Sequence, residues 1–224
     1  MNLIEREIGL DIELKENTVA IIVIEQIDIR LPLVNGLYVQ TMGKEGTWLL
    51  VENEKNYEIN KKIDMILEPF SLDLNNKKVK NKLYLDLKNI SQDYYYEWGL
   101  ELNSKICNYI ETLIEKMPYP IKYNEEWDIA EIFKSYNVEL VEDYDSICEK
   151  LFNYIKLMNV VCGINIFIIV NIKQYLTEEQ IKELYKFAMY SKLQLVLVEF
   201  NMINEKLPSE DIYIIDKDGC IISY

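Results

Sequence analysis

Four lysines stand close together in one short stretch of the chain. Lys77, Lys78, Lys80 and Lys82 occur within NNKKVKNKL, and no acid separates them. The lysine ammonium is a flexible point charge, which suits contact with a phosphate backbone better than the reading of a base edge. The stretch therefore indicates a phosphate-binding surface, while a solvated helix face rich in lysine would show the same spacing.

This basic stretch belongs to an acidic chain. The 224 residues include 24 lysines and arginines against 38 aspartates and glutamates, which gives a formal net charge of −14 and a pI of about 4.6. Residues 61–88 hold seven lysines and four acids, a net charge of +3, so the rest of the chain carries −17. An evenly acidic protein would repel DNA, but a symmetric oligomer that gathers several copies of the stretch would attract it.

A second charged group is acidic and consists of Glu125, Glu126, Asp128 and Glu131. Clustered carboxylates are the ligands that calcium prefers. The same spacing also fits the start of a helix, with Asp128 as the N-cap and Glu131 completing a capping box three residues later. Both interpretations, a metal site and a helix cap, remain open from the sequence.

Two further acids, Glu25 and Glu199, end apolar strands, where an NTPase keeps its metal-binding acid. A phosphate loop needs GxxxxGK[ST] directly after a strand, yet the first strand runs into EQID. The nearest match starts at Gly36, but six residues separate it from Gly43, and Glu45 replaces the magnesium-binding hydroxyl. We therefore expect no bound nucleotide, and a divergent metal-dependent phosphohydrolase or NTPase using Glu25 and Glu199 is the alternative function.

The chain contains no histidine, which excludes Ser-His-Asp and Cys-His catalysis and every histidine-containing zinc site within one copy. The four cysteines are widely spaced and are predicted to be reduced thiols. The N-terminus carries acids where a signal peptide needs bases, and the apolar stretches are too short to cross a bilayer. We expect a soluble, cytoplasmic protein with no membrane partner.

The pattern of apolar residues predicts an α/β protein. Runs rich in β-branched residues predict strands at 19–24, 47–51, 138–141, 164–170 and 193–200, and a hairpin that joins 212–215 to 221–224. Helical spacing runs from Trp98 to Met117 and from Ile147 to Met158, and Thr177 with Gln180 predicts a capping box at a third helix. Strands that alternate with helices imply a parallel sheet with right-handed crossovers.

The two ends of the chain share this α/β pattern, whereas the middle is helical. We therefore predict a head domain built from residues 1–60 and 138–224, with residues 61–137 inserted as an α-helical leg domain. A purely structural adaptor, whose acidic surface docks basic partners, is a further hypothesis that fits this organisation.

Several segments resemble the small adaptation accessory proteins of type II-A CRISPR systems, the Csn-two family. The resemblance runs nearly end to end and is clearest in the opening MNL, IELKENTVAIIVIE, LYLDL, EIFKSYNVEL, FIIVNIKQYLTEEQIKEL and LQLVLVEF. It implies a head like a degenerate P-loop NTPase, a helical leg, and a homotetrameric ring whose lysine-lined hole holds double-stranded DNA, notably through free ends, without sequence preference. It also implies no catalytic activity and a role in spacer acquisition with the integrase complex and the effector nuclease of the same locus.

The resemblance assigns roles to the charged residues described above. It implies that Lys77, Lys78, Lys80 and Lys82 face DNA in the hole, and that calcium supports the ring. Glu125, Glu126 and Glu131 match acidic positions of the family's calcium-binding run, and Asp128 lies among them. The preceding segment, PYPIK at residues 118–122, lacks the upstream acids of the family.

Overall fold

A computed structural model describes residues 1–201 and 206–223 of the chain. It divides the chain into two units, the first comprising Met1–Asp73 and Asp143–Tyr224 and the second comprising Leu74–Glu142. The strands are β1 (Asn2–Glu5), β2 (Leu10–Glu13), β3 (Val19–Ile24), β4 (Trp48–Glu52), β5 (Lys55–Tyr57), β6 (Ile63–Ile66), β7 (Ile166–Val170), β8 (Gln194–Glu199), β9 (Glu210–Ile215) and β10 (Ile221–Ser223). The α-helices are α1 (Ile27–Thr41), α2 (Ile59–Lys62), α3 (Lys77–Tyr94), α4 (Tyr96–Ile114), α5 (Ile129–Ser135), α6 (Ile147–Cys162) and α7 (Glu178–Tyr190).

The first unit is built on a six-stranded sheet in the order β10-β9-β3-β8-β7-β6. The strands from β9 to β6 are parallel, and β10 pairs antiparallel with β9. All six residues of β3 are buried, as expected for a Val/Ile-rich strand in the middle of a parallel sheet that is covered on both faces. The prediction of an α/β protein with a parallel sheet is therefore confirmed, and the predicted hairpin is β9–β10.

The helices of the first unit cover this sheet. Leu33 and Leu37 of α1 share one hydrophobic cluster with Ile22 and Val198 of the sheet. The capping box predicted for α7 is formed, since the Thr177 hydroxyl accepts from the Gln180 amide and the Gln180 side chain accepts from the Thr177 amide. A smaller antiparallel sheet, β2-β1-β4-β5, completes the unit.

The bounds of the two units differ from the expected ones at both junctions. Residues 61–73, expected in the helical domain, belong to the first unit because Ile63–Ile66 pairs as the parallel edge strand β6 with β7. The four residues of β6 include an aspartate and a methionine, so this segment is too short and too mixed in polarity to be predicted as a strand from the sequence. At the other junction, residues 138–142 belong to the second unit.

The second unit is helical and consists of α3, α4 and α5. The predicted helical face from Trp98 onward is α4, which ends at Ile114, four residues before Pro118. Trp98, at the start of this face, is 72% exposed. Helices α3 and α5 contact each other through the rings of Tyr84 and Phe133, whose centroids lie 6.2 Å apart. Along the described ranges of the chain, no helix combines the length and the apolar character needed to cross a bilayer.

Candidate nucleic-acid interface

The four predicted lysines open helix α3. Asn76 is the N-cap, and its side-chain oxygen accepts hydrogen bonds from the amides of Lys78 and Val79 at 3.0 and 3.2 Å. Val79, in the middle of the stretch, is a buried residue, whereas Lys77 and Lys78 are exposed. The cap and the buried valine therefore fix the backbone of a segment in which Lys77 and Lys78 are exposed and Lys80 and Lys82 are half-buried.

These lysines surround the start of α3 instead of forming one stripe. Because consecutive helical residues are rotated by about 100°, Lys78 and Lys82 lie on one side of the helix and Lys77 and Lys80 on another. From Lys77 to Lys82 the helix rises only about 8 Å. The result is a compact positive segment at the N-terminal end of a helix, where the helix dipole adds positive potential.

Two of the lysines form ion pairs within the second unit. The Lys80 ammonium lies 3.0 Å from a Glu139 carboxylate oxygen, and the Lys82 ammonium lies 2.7 Å from Asp86. Partly exposed pairs of this kind contribute at most about 1 kcal/mol to stability. Each lysine is therefore able to exchange its carboxylate for a phosphate at a small free-energy cost.

Glu139 reaches Lys80 because Asn75 holds the segment that carries it. The Asn75 side-chain oxygen accepts from the Leu140 amide at 2.8 Å, and its amide nitrogen donates to the Leu140 carbonyl at 3.0 Å. The predicted strand Val138–Val141 is therefore wrong: the segment is irregular, and a side-chain amide satisfies the backbone groups that a neighbouring strand would otherwise meet. Sequence reasoning missed Asn75, because a lone asparagine before a helix gives no signal of a distant partner.

The acidic group serves the local structure of the second unit. Asp128 is the N-cap of α5 and accepts from the Ala130 amide at 3.0 Å, while Lys88 lies 3.1 Å from the same carboxylate. The Ala130 hydrogen bond first, and Lys88 second, lower the pKa of Asp128. The Glu131 side chain pairs with Lys134 at 2.6 Å instead of completing a capping box.

These residues do not fit a calcium site within one copy of the chain. Glu125 and Glu126 are exposed in the irregular segment before α5. Across residues 1–201 and 206–223, no three Asp, Glu, Cys or His side chains are grouped closely enough to hold a metal ion. The capping role of Asp128 is confirmed, and calcium binding by Glu125, Glu126, Asp128 and Glu131 stays a prediction.

The carboxyl end of β3, where a phosphate loop would begin, is closed by an arginine. Only Glu25 and Gln26 separate β3 from α1. The Arg30 guanidinium donates to the backbone carbonyls of Ile24, Glu25 and Phe200 at 2.8, 3.1 and 2.9 Å, and it lies over the Phe200 ring. A cation therefore binds the ends of β3 and β8, at the place where an NTPase would present backbone N–H groups to phosphate.

Glu199, the second strand-end acid, belongs to a buried polar network. It is 6% exposed and accepts from the Lys173 amide at 3.2 Å. The Lys173 ammonium lies 2.6 Å from Glu210, which also accepts from the Tyr185 hydroxyl at 2.6 Å. Burial raises the pKa of Glu199 to about 7, against the lowering effect of the Lys173 amide and charge. Glu199 is thus held by one backbone donor while Lys173 neutralises Glu210.

The comparisons with known proteins identify the family. The model of the family described as CRISPR-associated protein (Cas_Csn2) matches residues 40–219. This chain belongs to the Csn2 family. A relative from Streptococcus agalactiae, named CRISPR-associated protein Csn2, is 24% identical over 219 residues, which cover 95% of this chain and 94% of that protein. Membership of this CRISPR-associated family supports a role in CRISPR immunity.

Two solved structures are also similar to this Csn2-family chain. The first, cbiO1 from Clostridium perfringens, part of the ABC transporter complex cbiONQ, is 12% identical, with a TM-score of 0.49 and coverage of 96% of this chain and 79% of that chain. The second is an ATP-binding cassette of an ABC transporter in its ADP conformation, also 12% identical, with a TM-score of 0.45 and coverage of 96% and 82%. Neither TM-score reaches 0.5, so neither likeness indicates that this chain binds a nucleotide.

Proposed function

We propose that this Csn2-family chain binds double-stranded DNA without sequence preference and supports spacer acquisition in type II-A CRISPR immunity. In this proposal four copies form a ring, the second unit is the leg of each copy, and Lys77, Lys78, Lys80 and Lys82 face the DNA. The ring acts without catalysis, beside the integrase complex and the effector nuclease of the same locus.

One observation carries this proposal, namely the positive segment at the start of α3 in a chain of net charge −14. Lysines that neutralise phosphates release condensed counterions, and this release gives affinity without reading the bases. The Lys80 and Lys82 ion pairs are exposed enough to open for phosphate. A single copy offers few such contacts, so the proposal needs several copies around one duplex.

A non-catalytic role is supported by the end of β3. Arg30 donates one hydrogen bond to each of three backbone carbonyls there, and a two-residue connection stands where a phosphate loop would begin. Glu199 is held by the Lys173 amide in the buried network. No step of the proposal depends on a bound metal ion, since the acids of one copy do not fit a calcium site.

Threading through a ring is tested by comparing linear duplex with a covalently closed circle of the same length and sequence. We expect tetramers by light scattering, and weaker retention of the circle than of the linear DNA at matched salt. Equal retention of both forms would refute threading, and a monomer that binds DNA equally well would refute the ring.

The role of the lysines is tested by changing Lys77, Lys78, Lys80 and Lys82 together to glutamine. Each lost phosphate contact lowers the slope of log K against log salt concentration by about 0.9, so we expect a fall of about 3 to 4. A control variant with Lys44, Lys55, Lys116 and Lys217 changed to glutamine makes the same change in net charge. A salt slope that falls equally in both variants would show that only total charge matters.

A further inference from the structure

The outer surface of α6 and α7 in the first unit carries a second group of lysines. The two helices run in the same direction, because each leads into a strand of one parallel sheet. They meet where the rings of Phe152 and Phe187 stack, with centroids 5.3 Å apart. Lys156 and Lys186 project outward on either side of this contact, and Lys192 follows the end of α7. We call these three lysines, with Val160 and Tyr190, the α6–α7 face.

The α6–α7 face is fully open. Val160 is 74% exposed, Tyr190 is 88% exposed, and all three lysines are exposed. Within residues 1–201 and 206–223, none of the three lysines has an ion-pair partner, although Glu183 stands three residues before Lys186 on the same helix. Three ammonium groups against the one carboxylate of Glu183 leave this surface with a net positive charge.

The distribution of acids isolates this face. No acid occurs between Glu149 and Glu178, or between Glu183 and Glu199, although acids outnumber bases in the chain as a whole. The acids of both helices lie in their N-terminal halves, together with Lys150 and Lys182, whereas Lys156 and Lys186 follow the last acid of their helices. The helix dipole favours this arrangement, but its effect is confined to the last turn. Neither Lys156 nor Lys186 lies in the last turn of its helix, so the dipole does not account for them.

We infer that the α6–α7 face is a second DNA-binding surface, which contacts the phosphate backbone of duplex DNA. The inference rests on the proposed function and adds a site on the first unit to the α3 lysines on the second. Lysine suits this partner, because it is depleted in protein–protein interfaces and common in phosphate contacts. The exposed Tyr190 hydroxyl is a further donor of the kind that binds phosphate. A face with three exposed ammonium groups and one carboxylate complements a polyanion.

The test is the salt dependence of binding to a blunt-ended linear duplex of mixed sequence. The full-length chain with Lys156→Gln, Lys186→Gln and Lys192→Gln should lose about 0.9 of salt slope for each lysine that contacts a phosphate, about 2 to 3 in all. The control changes Lys44, Lys55 and Lys217 to glutamine, with the same loss of charge on the first unit, and should keep the wild-type slope. Tyr190→Phe should weaken binding without changing the slope.

The result separates this inference from the proposed function. A wild-type chain that does not retain DNA at low salt overturns both. If substitution of the α3 lysines lowers the salt slope but substitution of Lys156, Lys186 and Lys192 does not, the proposed function stands and the second DNA-binding surface is refuted. The α6–α7 face would then fit an acidic protein partner. A slope lowered equally by the control also overturns it. Circular dichroism melting of each variant confirms that these exposed substitutions leave the fold intact.

Discussion

Glu199 gives the sharpest test of the energetics of the first unit. Its carboxyl group is buried, receives one hydrogen bond from the Lys173 amide, and shares the nearby Lys173 ammonium with Glu210, which that ammonium contacts directly. Burial raises the pKa of Tyr185 as well, so the Tyr185 hydroxyl stays a donor to Glu210. Among the described residues, the Lys173 ammonium is already paired with Glu210, so ionisation of Glu199 adds a second negative charge beside one cation.

The effect on stability follows from the raised pKa. The pKa of Glu199 rises from 4.5 to about 7 on folding, so the folded state binds more protons than the unfolded state between these values. This group therefore stabilises the fold at low pH, and its contribution is lost as the pH rises through 7. The shift corresponds to about 3 kcal/mol in full, and to about 2.5 kcal/mol between pH 5 and pH 8. Glu199→Gln should remove this pH dependence.

The assay follows Trp48, the buried tryptophan of the first unit, by fluorescence in urea at a series of pH values. Trp98 and Trp127 are changed to phenylalanine in every sample, so that Trp48 alone reports. The free energy of unfolding of Glu199→Gln, measured relative to this background, should rise by about 2.5 kcal/mol between pH 5 and pH 8. Glu25→Gln controls for the change in net charge. An unaltered pH dependence in Glu199→Gln would refute the reasoning.

A second variant, at Glu210, should change the stability in the opposite direction. Glu210→Gln removes the partner of the Lys173 ammonium at a site where the Glu210 side chain is fully buried, and it should cost about 3 kcal/mol at pH 8, where Glu199→Gln is favourable. The same Glu199→Gln sample, assayed with magnesium and ATP or DNA, tests the enzymatic alternative. If the wild type turns over either substrate and this variant does not, the phosphohydrolase hypothesis would be favoured over the proposed function.

Two further substitutions test contacts that the sequence did not reveal. Arg30→Met keeps a side chain on Phe200 but removes three hydrogen bonds to backbone carbonyls; we expect a loss of about 3 kcal/mol by urea denaturation, and Arg6→Met, at the exposed second arginine, should change stability by less than about 0.5 kcal/mol. Asn75→Ala removes both bonds to Leu140 and the bond to Glu142, and should cost about 2 kcal/mol by urea denaturation. Asn75→Asp keeps the acceptor but sets a carboxylate against the Leu140 carbonyl and the Glu142 carboxylate, so it should lose at least as much, and a smaller loss would contradict this explanation.

The fold of the first unit was largely predictable because its central strands are buried on both faces. Such strands require continuous apolar runs, and VAIIVI, IFIIV and QLVLVE all have this character. The hairpin between β9 and β10 was predictable from Asp218-Gly219, since Gly219 has a φ of +80° that suits glycine. In each case a local physical requirement leaves a local pattern in the sequence.

The remaining elements lack such patterns. The strands β1, β2 and β6 have four residues each and mix acids with apolar side chains, because edge positions and half-exposed faces tolerate charge. The segment Val138–Val141 has the composition of a strand, yet its backbone partner is a side chain 65 positions earlier in the sequence. A contact over such a distance leaves no periodicity to detect.

The charged residues show the same division. The sequence identified Lys77, Lys78, Lys80 and Lys82 by composition alone, and the structure places them together because they lie within six residues of one helix. It did not show that Lys80 and Lys82 have carboxylate partners, or that the strand-end Glu199 is joined through Lys173 to Glu210. Proximity along the chain is visible in a sequence, whereas pairing between elements is a product of folding.

Arg30 links the architecture to the proposed function. In a parallel sheet, the carboxyl ends of the strands are where ligands usually bind, because helix N-termini and loops converge there. Here the guanidinium of Arg30 holds the carbonyls of that edge, and the two-residue connection after β3 has neither the length nor the glycines of a phosphate loop. The exposed ammonium groups lie elsewhere, at the start of α3 and on the α6–α7 face, on helix surfaces that suit a long, uniformly charged polymer better than a small nucleotide. The arginine at the strand edge and the lysines on helix surfaces therefore favour the proposed DNA binding over the alternative of a phosphohydrolase.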